Sequence, residues 1–123
     1  MTMRDVRMAM RDGVELEADI TFPSADGITP MPGPFPALIF RTPYNRKIMT
    51  MMPYGMVATA AIVNPAVGVE HGYVVIFQDA RGTYGAAGEF EPMLKEGPDG
   101  VDTLAWICRQ PWSDGRVCTF GSS

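Results

Sequence analysis

Hydrophobic and polar residues alternate in two short segments near the start of the chain. In the first, Val6, Met8 and Met10 alternate with Arg7 and Ala9. The second covers residues 14–20, where Glu15, Glu17 and Asp19 are the polar members. Asp12-Gly13 lies between the two segments and is a strong hairpin-turn signal. The pattern predicts two antiparallel strands with one buried face and one acidic face in water.

The pattern then becomes continuous. Residues 37–40 and 73–77 are uninterrupted hydrophobic runs, typical of parallel strands covered on both faces. Residues 23–36, rich in Pro and Gly, predict a loop. Between the two runs, residues 56–63 predict a short crossover helix, which we expect to end at Asn64-Pro65 and Gly68.

A second helix is predicted before the last strand. Four residues recur at helical spacing and predict its buried face: Val101, Leu104, Ala105 and Cys108. Asp99 and Asp102 suit its first turn, and Pro111 should end it. Residues 117–120 then predict a buried strand. Strand, helix, strand, helix, strand is a doubly wound α/β order, and we expect residues 1–123 to belong to one domain.

Charge and composition restrict the function. The net charge of −4 disfavours nucleic acid and anionic membrane surfaces as partners, and favours a small molecule or peptide. Residues 48–69 lack charge, but their Pro and Gly residues argue against a transmembrane helix. The N-terminus has no apolar leader pattern, which favours the cytoplasm. Cys108 and Cys118 are expected to be buried free thiols.

The carboxyl ends of the predicted parallel strands are the expected place for chemistry. The last strand leads into Gly121-Ser122-Ser123, which begins a G-x-S-x-G nucleophile elbow with Ser123 as the serine. A disordered tail is the alternative interpretation of these residues. His71 precedes a strand, so it is expected at the opposite end of the sheet from the elbow.

Other polar residues near the strand ends have structural interpretations. We predict that Asp79 and Arg81 form an ion pair that holds the loop 82–88, rather than acting as a catalytic acid and an electrophile. A group of acidic residues predicts a solvated edge without the His or Cys neighbours of a metal site: Glu89, Glu91, Glu96 and Asp99. Trp106 and Trp112 are expected to be packing residues.

Several motifs together resemble a known family. They are Met10-Arg11-Asp12-Gly13-Val14, Arg41-Thr42-Pro43-Tyr44, Phe77-Gln78-Asp79-Ala80-Arg81-Gly82, Gly88-Glu89-Phe90, the segment 102–106, Trp112-Ser113-Asp114-Gly115 and Gly121-Ser122-Ser123. In this order they resemble the start of the cocaine esterase, X-prolyl dipeptidyl peptidase and α-amino acid ester hydrolase family of serine hydrolases.

The resemblance implies an α/β-hydrolase fold, of which residues 1–123 are the N-terminal part, ending at the elbow. It implies that Ser123 is the nucleophile and that the Tyr44 hydroxyl helps to form the oxyanion hole. The triad Asp and His are expected after Ser123, so this chain alone should be inactive. No cofactor or metal is implied.

Two other functions remain open: X-prolyl dipeptidyl aminopeptidase activity in the complete protein, and a non-catalytic truncated product or binding remnant. The expected substrate is a small ester or amide, or a short peptide. We also expect self-association if the last strand has an exposed edge.

Overall fold

The computed structural model describes residues 1–43, 45–46, 65–91, 94 and 96–120. These residues form the following elements: β1 (Thr2–Ala9), β2 (Glu15–Thr21), β3 (Phe35–Thr42), α1 (Pro65–Glu70), β4 (Val74–Asp79), α2 (Glu96–Cys108) and β5 (Ser113–Thr119).

The strands form one mixed sheet with the order β1-β2-β4-β3-β5. Strand β2 is antiparallel to both of its neighbours, whereas β3 runs parallel to β4 and to β5. The chain therefore passes from β3 to β4, at the centre of the sheet, and then crosses back over β3 to reach β5 at the edge. This arrangement confirms the predicted α/β class.

The N-terminal hairpin is confirmed, but of the three acidic residues of its second strand only Glu15 is exposed to water. Met8 pairs with Leu16 across the two strands, and the Gly13 N–H donates to the Met10 carbonyl at 2.9 Å. Glu17 and Asp19, predicted to be solvated, are buried. Burial of carboxylates requires a compensating positive charge, and here that charge comes from Arg46, described below.

The sheet carries a separate hydrophobic cluster on each face. Side chains of consecutive strand residues point to opposite faces, so Ile39 and Ile76 contribute to one cluster and Phe40 and Phe77 to the other. Ile107 of α2 packs into the first cluster, and Val69 of α1 packs against the second. The two helices therefore cover opposite faces, as expected for a doubly wound sheet.

The first helix differs from the prediction. Helix α1 includes both Pro65 and Gly68, which were expected to stop helical structure. Proline at the first position of a helix loses no intrahelical hydrogen bond, and Gly68 is buried. The predicted helix over residues 56–63 lies outside the described residues.

The second helix is present, but its buried face was predicted wrongly. Val101 is 59% exposed and Leu104 is 37% exposed. The buried residues are Asp99, Thr103 and Ile107, spaced four apart. Two of them are polar and bind partners in the sheet region, which a search for apolar periodicity could not detect.

Strand β5 is formed, yet it is more exposed than predicted. Cys118 and Cys108 are both free thiols, as expected, but both are exposed rather than buried. Among the described residues β5 pairs only with β3, so its other edge has no strand beside it in that part of the chain. Trp112 packs edge-on against Phe22 with ring centroids 5.5 Å apart, as predicted for a packing residue.

Ile39 provides a test of the central core. Ile39 is 1% exposed, whereas Ile28, in the loop between β2 and β3, is 78% exposed. The Ile39→Val substitution should lower the free energy of unfolding by about 0.5–1.5 kcal/mol, because it removes one buried methylene. The matched Ile28→Val substitution should leave it unchanged. Urea denaturation of both variants measures the difference, and equal effects would contradict the assigned core.

Candidate active site

The carboxyl ends of the three parallel strands, β3, β4 and β5, lie on the same side of the sheet. Ile39 pairs with Thr119 between β3 and β5, and the Phe120 N–H donates to the Ile39 carbonyl at 3.1 Å. Thr42 pairs with Asp79 between β3 and β4. The carboxyl ends of β3, β4 and β5 thus lie side by side.

The two residues predicted to carry the chemistry, Tyr44 and Ser123, lie outside the described residues. Their positions in the chain are nevertheless defined relative to paired strands. Tyr44 is the second residue after the end of β3, and Ser123 is the fourth after the end of β5. Both follow strands that are neighbours and parallel.

Three aromatic rings fix the ends of these strands relative to one another. Phe120 stacks on Phe40 with centroids 5.4 Å apart and meets Phe77 edge-on at 5.9 Å. Phe40 and Phe77 are themselves 5.6 Å apart. Aromatic pairs at such distances contribute about 0.5–1.5 kcal/mol each beyond their area burial. The trio joins β3, β4 and the residue that directly precedes Gly121.

A buried arginine lies near the carboxyl ends of the same strands. The Arg46 side chain is 1% exposed and forms ion pairs with four carboxylates, those of Asp5, Glu17, Asp19 and Asp79. Its Nη2 donates to Glu17 Oε1 at 2.6 Å, its Nε lies 3.1 Å from Asp19 Oδ1, and its Nη1 binds Asp79 Oδ2. The planar guanidinium, with five N–H donors, suits so many acceptors.

The ionic partners of Arg46 keep it charged. Burial would lower the pKa of its guanidinium, but hydrogen bonds to Glu17 and Asp19 outweigh that effect and raise the pKa above its usual value. Arg46 is therefore a permanent cation inside the fold. This explains why Glu17 and Asp19, on the face of β2 that alternation assigned to water, are buried.

A bulge in β1 completes the cluster. The pairing of β1 with β2 shifts between Met3 and Val6, where Asp5 has a φ of 55°. Bulges re-aim side chains, and here the Asp5 carboxylate meets Arg46 while its N–H donates to Asp19 Oδ1 at 3.0 Å. The sequence pattern contains no signal for this bulge.

A second buried arginine replaces the predicted Asp79–Arg81 ion pair, which was wrong. Arg81 donates to Asp99 from Nε at 2.8 Å and from Nη2 at 2.7 Å. It also donates from Nη1 to Asp12 at 2.8 Å. Asp79 binds Arg46 instead. Arg81 therefore connects the loop after β4 to helix α2 and to the hairpin turn.

The Asp99 contact also corrects the predicted solvated edge. Asp99 is buried against Arg81, and Glu96 binds Arg41 of β3 at 2.9 Å, whereas Glu89 is exposed. His71 lies three residues before the first residue of β4, so it lies at the opposite end of that strand from Asp79, as expected.

The loop after β4 requires glycine at two close approaches. Gly82 has a φ of 73°, and a Cβ there would overlap the backbone of Phe90. At Gly85, a Cβ would overlap Glu17 Oε1 and lie 2.8 Å from Arg46 Nη1. The loop thus packs directly on the Arg46 cluster.

Within the described ranges, no group of three or more His, Cys, Asp or Glu residues is arranged to hold a metal ion. In the same part of the chain, no helix combines the length and apolar character needed to cross a bilayer.

Comparison with known proteins identifies the family. The model of the X-Pro dipeptidyl-peptidase (S15) family matches residues 12–123. The chain belongs to this family. The predicted resemblance is thereby confirmed, since the S15 hydrolases include the X-prolyl dipeptidyl peptidases named above.

Individual members of the S15 group are similar over most of this chain. Cocaine esterase from Rhodococcus sp. (strain MB1 Bresler) is 39% identical over 119 residues, which cover 97% of this chain and 19% of that protein. The chain therefore spans about a fifth of the length of the curated relatives it matches.

Solved structures of the same group share the fold. An α-amino acid ester hydrolase is 27% identical with a TM-score of 0.72, covering 97% of this chain and 20% of that one. A CocE/NonD family hydrolase from Staphylococcus aureus is 26% identical with a TM-score of 0.79, covering 98% of this chain and 22% of that one. The observed sheet is consistent with the N-terminal part of an α/β hydrolase.

The Arg81 contacts predict a pH-dependent contribution to stability. The hydrogen bond from Arg81, with that from the Val14 N–H, lowers the pKa of Asp12 below its usual value. A carboxylate with a lowered pKa in the folded state stabilises fully above its unfolded pKa of about 3.9, and this stabilisation is lost as pH falls through the folded pKa.

Asp12→Asn should therefore lower the urea midpoint at pH 7 and have a smaller effect near pH 3. Glu89→Gln, on an exposed residue, is the carboxylate-to-amide control and should change the midpoint little at pH 7. A difference between wild type and Asp12→Asn that is the same at both pH values would contradict the role of the Arg81 contact.

Proposed function

We propose that the protein containing this chain is a serine acyl hydrolase that cleaves an ester or amide through an acyl-enzyme. The observation that carries the proposal is the parallel pairing of β3 and β5, with Ile39 opposite Thr119. Because of this register, the segments containing Tyr44 and Ser123 start from adjacent strand ends. Membership of a hydrolase family supports the same conclusion.

In the proposed reaction, the Ser123 Oγ attacks the substrate carbonyl carbon and a general base takes the hydroxyl proton. The negative charge that develops on the carbonyl oxygen is stabilised by the Tyr44 hydroxyl, a donor at the position where α/β hydrolases place one side of the oxyanion hole. The tetrahedral intermediate collapses, the C–O or C–N bond breaks, and the leaving group receives the proton. Water then hydrolyses the acyl-enzyme.

The proposed base is a histidine outside residues 1–123. His71 is the one histidine of this sequence. It precedes β4, whereas the proposed nucleophile follows β5 at the other end of the parallel strands. A partner Asp or Glu for that base is proposed to lie outside these residues as well, in the usual order Ser, acid, His.

A second candidate is X-prolyl dipeptidyl-peptidase activity, because the matching family model carries that description. Comparing hydrolysis of p-nitrophenyl acetate with that of Ala-Pro-p-nitroanilide separates the two. Rapid cleavage of the ester alone favours an esterase, whereas preferential cleavage of the dipeptide anilide favours the peptidase. A protein that hydrolyses neither would favour the third possibility, a non-catalytic product.

The nucleophile is tested by covalent labelling. In the protein expressed from the complete reading frame that contains residues 1–123, a fluorophosphonate probe should label Ser123, and Ser123→Ala should abolish both labelling and turnover. Ser122→Ala, at the neighbouring hydroxyl, is the matched control and should still be labelled. Labelling that survives Ser123→Ala would contradict the assignment.

The oxyanion donor is tested separately. Tyr44→Phe removes only the hydroxyl and should lower kcat by about 100- to 1000-fold, the usual cost of losing one oxyanion donor. His71→Ala should leave kcat unchanged, because the proposed base lies elsewhere. A Tyr44→Phe variant with wild-type kcat would exclude this role for Tyr44.

A further inference from the structure

We propose that Asp79 and Arg46 form a positioning pair that sets the placement of the Tyr44 hydroxyl. The inference rests on the proposed function, in which Tyr44 is an oxyanion donor. Neither residue is proposed to touch the substrate. Their role is to determine the path of the short segment that begins at the end of β3 and includes Tyr44.

The first support is that this segment is held at both of its ends by β4. On the near side, Thr42 pairs with Asp79, and the Ala80 N–H donates to the Thr42 carbonyl at 2.9 Å. On the far side, the Arg46 N–H donates to Asp79 Oδ1 at 2.8 Å. Three residues, one of them Tyr44, lie between these two attachment points.

The second support is that the Asp79 carboxylate has a partner on each of its oxygens. Oδ1 accepts from the Arg46 backbone, and Oδ2 accepts from the Arg46 side chain and from the Gly85 N–H at 3.3 Å. The side chain is completely buried. An aspartate with this set of acceptor contacts fixes both the backbone and the side chain of Arg46.

The third support is the backbone between the attachments. Asn45 has a φ of 75°, in the left-handed region. Asparagine visits this region more readily than most residues. A single left-handed residue turns the chain sharply, and here the turn directly precedes the residue whose N–H binds Asp79. At Arg46 the chain therefore lies beside the end of β4.

The fourth support is the rigidity of the anchor. The Arg46 guanidinium also binds Glu17 and Asp19 of β2, and Asp5 in the bulge of β1. A displacement of Arg46 would break contacts to three strands at once. Interiors packed in this way do not deform continuously, so Arg46 is a fixed attachment point for the chain.

The catalytic consequence is specific. An oxyanion donor acts only when it is placed where the charge develops, and an error of about 1 Å can cost about 100-fold in rate. Weakening the pair should therefore lower kcat with little change in KM. It should also reduce the loss of kcat caused by Tyr44→Phe, because a displaced donor stabilises the transition state less.

The test is a double-mutant cycle in the full-length protein. The substrate is p-nitrophenyl acetate, or Ala-Pro-p-nitroanilide if the protein hydrolyses only that compound. Asp79→Asn keeps an oxygen that can accept from the Arg46 N–H but removes the charge. It should lower kcat by about 10- to 100-fold with KM changed by less than about threefold. In that background, Tyr44→Phe should cost about 10- to 100-fold less than it costs in the wild type.

The matched control is Asp99→Asn, which weakens a buried arginine–aspartate contact outside the pair, that of Arg81 with α2. Both single variants should lower the melting temperature. Of these two variants, Asp79→Asn should couple to Tyr44→Phe and Asp99→Asn should not. Arg46→Lys, which keeps a cation but lacks the guanidinium fork, is a second route to the same measurement and should show the same coupling.

The outcomes separate this inference from the proposed function. If Tyr44→Phe lowers kcat in the wild type and its cost is unchanged in the Asp79→Asn or Arg46→Lys background, the pair is merely structural and the inference is overturned. If Tyr44→Phe has no effect in the wild type, the oxyanion role itself fails. If Asp99→Asn couples as strongly as Asp79→Asn, the effect is general destabilisation and the inference is also overturned.

Discussion

The arrangement of the strand ends depends on the ion pairs that the buried Arg46 guanidinium forms. A charge can be removed from water only if its partners replace the lost hydration, and Arg46 obtains those partners from β1, β2 and β4. The dependence is mutual, because Asp19 and Glu17 could not be buried in the sheet without the cation. Removing one member of such a buried pair typically costs about 3–5 kcal/mol.

Two arginines, Arg46 and Arg81, connect the hairpin to the parallel strands. Arg46 binds the strands of the hairpin on the face that α1 covers, whereas Arg81 binds the hairpin turn through Asp12 and the first turn of α2 through Asp99. Both lie at the end of β4, because Arg46 binds Asp79 and Arg81 follows that strand by two residues. The hairpin, whose strands have only antiparallel partners in the described part of the chain, is thereby fixed to the carboxyl ends of the parallel strands.

The sequence predicted the parts of the fold that depend on local patterns. Alternation and a Gly turn were enough for the hairpin, and solid hydrophobic runs were enough for β3 and β4. The pattern failed where burial depends on partners distant in sequence. Glu17 looked solvated because nothing near it in the chain shows that Arg46 will cover it. Likewise, Asp99 and Thr103 form the buried face of α2 through Arg81 and Gln78, which periodicity does not register.

The same limit applies to the candidate site. The motifs around Tyr44 and Ser123 were visible in the sequence, but the anchoring of Arg46 to Asp79 was not. An ion pair between the near neighbours Asp79 and Arg81 was the simpler prediction. It was wrong because each of the two side chains binds a partner on another part of the chain. Asp79 binds Arg46, and Arg81 binds Asp12 and Asp99.

The pairing of β3 with β5 has a consequence for folding. The hairpin closes through a short turn, whereas β5 must find β3 across most of the chain, with β4 and α2 in between. Closing a long loop costs more entropy than closing a short one, and contacts between distant residues form late. The aromatic trio that joins Phe120 to β3 and β4 is therefore expected to assemble after the hairpin, so that the strand preceding Ser123 takes its place only on a sheet that already exists.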